Sequence, residues 1–228
     1  MRNMSEDKPL DALARIEERD GTEATLEIAA AFASAAPWVG GPISSYMVGK
    51  ANDRKFRRVA DELKKLADDM RRVESDTAKH YVKTEEFEDL LDVTMQKIAT
   101  EQSETKRALY RAFLANTAAS PGEPWAEKQR FLRTLEEIEP EHVRLLKALM
   151  QQPKVDLEPF GYGSVSQTLR RRAPEIANRI DDLARELDRM GLTSVGQTGG
   201  MMTANGAEDL RGRVMPYGQR FLQYVLTD

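Results

Sequence analysis

The sequence predicts a mainly α-helical protein: an N-terminal helical bundle built around one long helix, followed by a helical module closed by a small β-hairpin. Three observations predict this. Phe56, Val59, Leu63, Leu66, Met70 and Val73 follow one another at spacings of 3, 4, 3, 4 and 3, a seven-residue helical repeat. Helix-start signals recur at Thr84, Pro140, Ser164, Pro174 and Pro216. Leu192 to Val195 and Arg211 to Met215 read as short strands on either side of a glycine-rich excursion, Gly196 to Gly206.

From the N-terminus, residues 1 to 7 read as a disordered start. Leu10, Leu13 and Ile16 give a short amphipathic helix ending near Gly21, and a second helix runs to about Ala36, where Pro37 stops it. The long helix is expected over about 42–75, since proline suits a first helical turn. Between its apolar positions lies a run of mixed charge from Arg57 to Arg72, expected as a solvated face with local ion pairs. Thr84, followed by Glu85 and Glu86, opens a helix that turns Phe87, Leu90, Leu91, Met95 and Ile98 inward. Another helix covers about Ser103 to Thr117. Ala118 to Pro124 is the clearest linker, so the expected domains are 1–120 and 125–228, with the core of the second at 140–228.

The second domain opens with a helix over Trp125 to Ile138, then one from Pro140 carrying Val143, Leu146 and Met150 inward. Gln152 to Gly163 is a looser stretch. Ser164 and Gln167 have the spacing of a capping box and open a short helix to about Arg172. The helix expected from Pro174 carries Ile176, Ile180, Leu183, Leu187 and Met190, and Gly191 ends it. The two strands and a last helix from Pro216 complete the module.

Helix, helix, helix, strand, hairpin, strand is the winged-helix order. The stretch from Leu192 to Phe221, with Arg213-Val-Met-Pro-Tyr-Gly-Gln-Arg-Phe-Leu222 at its end, resembles the wing and closing helix of bacterial winged-helix domains. The resemblance covers the last 90 residues or so and bears on fold more than on function. A second one is fainter. Lys106-Arg-Ala-Leu-Tyr-Arg-Ala-Phe-Leu-Ala-Asn116, then Phe131 and Leu135, then Pro140-Glu-His-Val-Arg-Leu-Leu-Lys147, is similar to the central stretch of bacterial abortive-infection alpha-type proteins. Where that pattern has Leu-Leu-Ala, this chain has Phe113-Leu-Ala. The resemblance brings no catalytic residue with it.

Composition narrows the function. The 228 residues carry a net charge of −4 and no cysteine, which excludes disulfides, thiolate metal sites and cysteine nucleophiles. The first charge-free apolar run begins only at Ile28, after acidic residues, so no secretory leader is expected and the expected location is cytoplasmic. Ile28 to Gly49 is uncharged and about as long as a membrane-spanning helix, yet Pro37, Gly40, Gly41 and Pro42 break it in the middle. It reads as two buried helix ends joined by a turn. The sharper reading is a concealed membrane hairpin or partner surface, with Phe32, Trp38, Val39, Ile43 and Met47 as contacts.

No catalytic or metal-binding set emerges, and neither a cofactor nor a small-molecule substrate is expected. His80 and His142 are the only histidines, and both read as surface residues. Glu139-Pro-Glu-His142 has the Glu-x-x-His spacing of carboxylate metal bundles, but it occurs once. Gly49-Lys50 lacks the phosphate-loop partners, because Ser44 and Ala51 stand where glycine and Ser or Thr belong. The acids from Glu85 to Asp92 read as a helix start and its solvated face.

The candidate nucleic-acid contacts are Arg170, Arg171, Arg172, Arg179, Arg211 and Arg213. Against them, the third helix of the module sets Glu175, Asp181, Asp182, Glu186 and Asp188 beside Arg179, Arg185 and Arg189. The leading expectation is therefore a non-enzymatic interaction or regulatory protein that uses the module for protein docking or self-association. A DNA-binding transcriptional regulator is the alternative. A phage-defence effector that acts at the membrane is the third reading.

Overall fold

The computed structural model describes residues 56–153 and 161–226, together with Ile28, Ala30, Pro37–Val39 and Ile43. Among these residues the protein is mainly α-helical, and the chain divides into two compact units, residues 1–125 and 126–226.

In the first unit, α1 spans Phe56–Arg72 and buries Val59, Leu63, Leu66 and Met70, the inner positions of the seven-residue repeat. It ends three residues before the expected Ser75. Ser75 is instead the N-cap of a short helix, α2 (Asp76–Tyr81), and its hydroxyl accepts the Ala78 N–H at 3.1 Å. His80 therefore lies on a helix rather than in a turn, and it is exposed. α3 (Glu85–Thr100) starts at the Thr84 cap, which accepts the Phe87 N–H at 3.3 Å. α4 (Glu104–Ala119) starts at Ser103, which accepts the Lys106 N–H at 3.2 Å.

α4 is the centre of this unit. Leu109, Tyr110, Ala112, Phe113, Leu114, Ala115, Thr117 and Ala118 are all buried, more than one helix face can hold, and α1, α2 and α3 pack around it. The charge run on α1 is not all solvated. Glu62 is buried and takes Arg107 at 3.0 Å and Arg111 as partners, while Asp69 takes Arg111 at 3.3 Å. Arg107 and Arg111 stand one turn apart on α4, so the pair clamps α4 to α1. Burial alone would push the Glu62 carboxyl up; the hydrogen bonds and charges of Arg107 and Arg111 outweigh it and hold the group below the usual carboxylate range.

The second unit opens with α5 (Trp125–Glu137), which begins at the last residue of the first unit, and α6 (Pro140–Met150). A two-residue strand β1 (Tyr162–Gly163) runs into α7 (Val165–Arg172), which carries the expected capping box. Ser164 accepts the Gln167 N–H, and the Gln167 side chain accepts the Ser164 N–H, both at 3.2 Å. The helix expected from Pro174 is divided. Pro174–Ile176 form a 3-10 turn, and α8 occupies only Ile180–Arg189. Gly191, at φ +71°, ends it in the left-handed region, as the sequence requires. The chain continues through β2 (Met202–Thr203), α9 (Ala204–Glu208), a 3-10 turn at Arg211–Arg213 and α10 (Pro216–Val225).

The β-structure differs from expectation. The strands expected at Leu192–Val195 and Arg211–Met215 meet only at one bridge, Thr193 with Val214, because the second of them turns into a 3-10 helix. The ribbon forms between β1 and β2 instead, antiparallel, with Tyr162 opposite Thr203 and Gly163 opposite Met202. Phe131 of α5 fixes α10 through stacked rings, at 5.4 Å from Tyr217 and 5.0 Å from Tyr224, and Arg130 lies 3.8 Å above the Tyr217 ring.

Candidate functional site

The six candidate arginines of the C-terminal unit do not share one surface. Arg172 is turned inward, with its side chain only 5% exposed. Its guanidinium donates to the carbonyls of Ala148 (2.9 Å) and Glu208 (2.7 Å) and to the Glu208 carboxylate (3.1 Å). Expected as a nucleic-acid contact, it is instead a bolt between α6, α7 and α9, with these acceptors taking its two terminal nitrogens. Arg171 is half-exposed and is also held by Glu208. The Glu208 carboxylate is buried and accepts the Thr168 hydroxyl at 3.2 Å as well. Burial pushes its carboxyl up, but Arg171 and Arg172 hold it below the usual range.

The other four are more open. Arg170 is half-exposed, donating to Ser166 at 3.1 Å with Asp181 at 3.7 Å. Arg179 is exposed at the N-cap of α8. Arg211 is exposed and donates to the Met150 carbonyl at 2.9 Å, while Arg213 reaches the Val195 carbonyl at 2.9 Å. Arg211 and Arg172 thus both cap the end of α6, where free carbonyls attract cations.

An open cleft of about 700 Å³ lies between α8 and the Gly196–Gly200 loop. Its carboxylates are spent on shaping that loop. Asp188 accepts the Thr193 hydroxyl (2.6 Å) and the N–H groups of Val195 (2.8 Å) and Gly196 (2.9 Å), and Asp181 accepts the Thr198 hydroxyl. Among the described residues no group of three or more His, Asp or Glu side chains stands ready for a metal ion.

His142, expected at the surface, is buried. The Glu139 N–H donates to its Nδ1 at 3.0 Å, so the ring proton sits on Nε2, 2.6 Å from the Glu186 carboxylate. Its Glu-x-x-His spacing serves the start of α6, as a capping-box partner would, and ties α6 to α8.

Of the candidate membrane contacts, Phe32 and Met47 lie outside the described residues. Val39 and Ile43 are buried rather than presented, as is Ile28. Trp38 is partly buried, and no helix among the described residues is long and apolar enough to cross a membrane.

Among the described residues, the most exposed large apolar side chains lie at the β1–β2 ribbon, one on β1 and one directly before β2. Tyr162 is 75% exposed and Met201 is 73% exposed. Tyr162 faces Thr203 across the ladder, on the exposed face, and the exposed Met201 directly precedes β2. The opposite face is packed: a Cβ on Gly163 would sit 3.2 Å from the Ala207 Cβ. The sequence placed Tyr162 in a loose stretch and Met201 in a glycine-rich excursion, with no alternation long enough to mark a strand. No protein-family model, curated protein or solved structure matches this chain.

Proposed function

We propose that this chain is a non-enzymatic interaction protein whose C-terminal unit docks protein, with the Tyr162–Met201–Thr203 face as the contact. The observation that carries the reading is the outward placement of two large apolar side chains, Tyr162 on a paired strand whose other face is packed and Met201 directly before its partner strand. A tyrosine beside a methionine offers contact area at low conformational cost and adapts to a partner's shape. The module would be a winged-helix relative in which β1 pairs with the strand returning from the loop. The order α6, β1, α7, α8 and then the glycine-rich loop supports this.

The arginines favour docking over reading DNA. Arg171 and Arg172 are engaged by Glu208, and the α8 surface mixes signs, with exposed Asp181 and Asp182 beside Arg185. Pull-down from the native host, combined with light scattering on the purified chain, tests the reading. The wild type should recover a partner or exceed monomer mass, and Tyr162→Ser with Met201→Ser should abolish either result while leaving the circular dichroism spectrum intact. A strict monomer with no partner defeats the proposal, as does binding that survives both substitutions.

A further inference from the structure

The ribbon that carries Tyr162 and Met201 is attached to α7 at both ends of that helix. At one end, β1 runs through Gly163 and Ser164 directly into α7. At the other, β2 continues into α9, and the last residue of α9, Glu208, is held by Arg171 and Arg172 in the final turn of α7 and by Thr168 one turn earlier. The Arg172 guanidinium also grips the Glu208 backbone carbonyl at 2.7 Å. Residues 201–208 therefore form a strap along α7, anchored by one acid.

What borders the strap suits movement. Gly199 and Gly200 precede it and Gly212 follows it, and a Cβ at any of the three would meet nothing within 4 Å. Beyond the two-residue β1–β2 ladder, the Ala204 N–H ties the strap to the Gly161 carbonyl at 2.8 Å, and within the strap the Gly206 N–H donates to the Thr203 hydroxyl at 3.2 Å. Beyond the ion pairs, Ala207 supplies its buried apolar contact.

We propose that Glu208 with Arg171 and Arg172 is a clasp that sets whether the strap is fixed or open, and so governs the docking face; this rests on the docking reading above. Arg171 is the accessible half of the clasp, because its side chain is half-exposed while Arg172 is enclosed. A carboxylate on a docking partner that took Arg171 would loosen Glu208 and let β2 and α9 leave α7. Losing Arg171 would leave the buried Glu208 carboxylate on Arg172 and Thr168 alone, a weaker hold on so short a segment.

Amide hydrogen exchange on the full chain tests the clasp without any partner, so it can fail or succeed independently of the docking reading. The reporters are the amides of Ala204 and Gly206 inside the strap, and those of Ser194 and Met215 outside it, which donate to the Arg213 and Leu192 carbonyls. Glu208→Gln should speed exchange at the strap reporters at least tenfold and leave the outside reporters unchanged. Arg171→Gln should give a smaller acceleration of the same pattern. Asp209→Asn, which removes a charge from the exposed neighbouring residue, should change neither set. Unchanged strap exchange in Glu208→Gln overturns the proposal. So does equal acceleration inside and outside, which would make Glu208 a general stabiliser.

Discussion

Replacing Gly218 with alanine probes the packing of α10 against the chain that leaves α8. A Cβ at this position would lie 2.2 Å from the Leu192 carbonyl oxygen, 3.0 Å from its carbon and 3.1 Å from Val214 Cγ1. The nearest obstacle is backbone, so no side-chain rotation relieves it. That backbone is pinned, since the Met215 N–H donates to the same Leu192 oxygen at 3.0 Å and Thr193 bridges Val214. Restoring an ordinary contact requires α10 to withdraw by roughly 1 Å, against the stacked rings of Phe131, Tyr217 and Tyr224. Overpacking of this kind costs about 1–3 kcal/mol or somewhat more. Alanine recovers up to about 1 kcal/mol through helix propensity and a less free unfolded chain. The net expectation is a loss of about 2 kcal/mol, which lowers the melting temperature of a unit this size by roughly 10 °C. Two other glycines calibrate the result. Gly191→Ala meets open space but must adopt φ +71°, at a cost of about 1–2 kcal/mol; Gly212→Ala has space without that constraint and should be near neutral. Urea unfolding followed by circular dichroism ranks the three. A Gly218→Ala midpoint equal to or above that of Gly212→Ala would refute the packing argument.

Thr94 and Thr117 bury their hydroxyls in the first unit with no hydrogen-bond partner among the described residues. Thr94→Val and Thr117→Val should each raise the unfolding free energy by about 1 kcal/mol, and a loss of stability in both would show that the hydroxyls are satisfied in solution. Glu62 and Glu208 have folded carboxyl values below the ordinary one, because their arginine partners outweigh burial. Their stabilisation is complete above the ordinary carboxylate value and disappears as the pH falls through the folded value. Between about pH 6 and pH 3, the urea midpoint of the wild type should therefore fall more steeply than that of a Glu62→Gln, Glu208→Gln double variant; parallel slopes would contradict the assignment. Asp188→Ala removes the acceptor for Thr193, Val195 and Gly196, so the Val195 and Gly196 amides should lose exchange protection while α10 keeps its own. Retained protection at both amides would mean that the loop holds its shape without that carboxylate.

The helices were legible because their signals are local. Thr84, Ser103 and Ser164 cap the helices that follow them, and Gly191 ends α8. One boundary is shifted by a local effect: the long helix, expected to reach about Ser75, stops at Arg72, and the Ser75 hydroxyl caps α2 instead. Elsewhere distant residues decide. The repeat marks Glu62 only as a position between apolar ones; its burial depends on Arg107 and Arg111, more than forty residues later. His142 looked exposed beside Glu139 and Glu141, and only Glu186 on another helix reveals its role. Strand pairing failed for a related reason. The β1–β2 ladder is two residues long, too short for alternation to register, whereas the longer apolar runs at Leu192 and Val214 meet at a single bridge.

Charge counting misleads for a reason that both units share. Each unit holds a buried glutamate gripped by two arginines of one helix, Arg107 and Arg111 with Glu62, Arg171 and Arg172 with Glu208. A sequence tally of the C-terminal module gives twelve basic and eleven acidic residues from Pro140 onward. It treats the arginine run at 170–172 as a surface stripe. Geometry removes Arg172 from that stripe and commits Arg171, which leaves Arg170 beside Asp181. A phosphate arriving there would have to compete with carboxylates already seated, at a cost in desolvated charge that a few exposed arginines offset poorly. The exposed Tyr162–Thr203 face carries no charge of its own, which is why the partner proposed for this module is a protein surface and not a phosphate backbone.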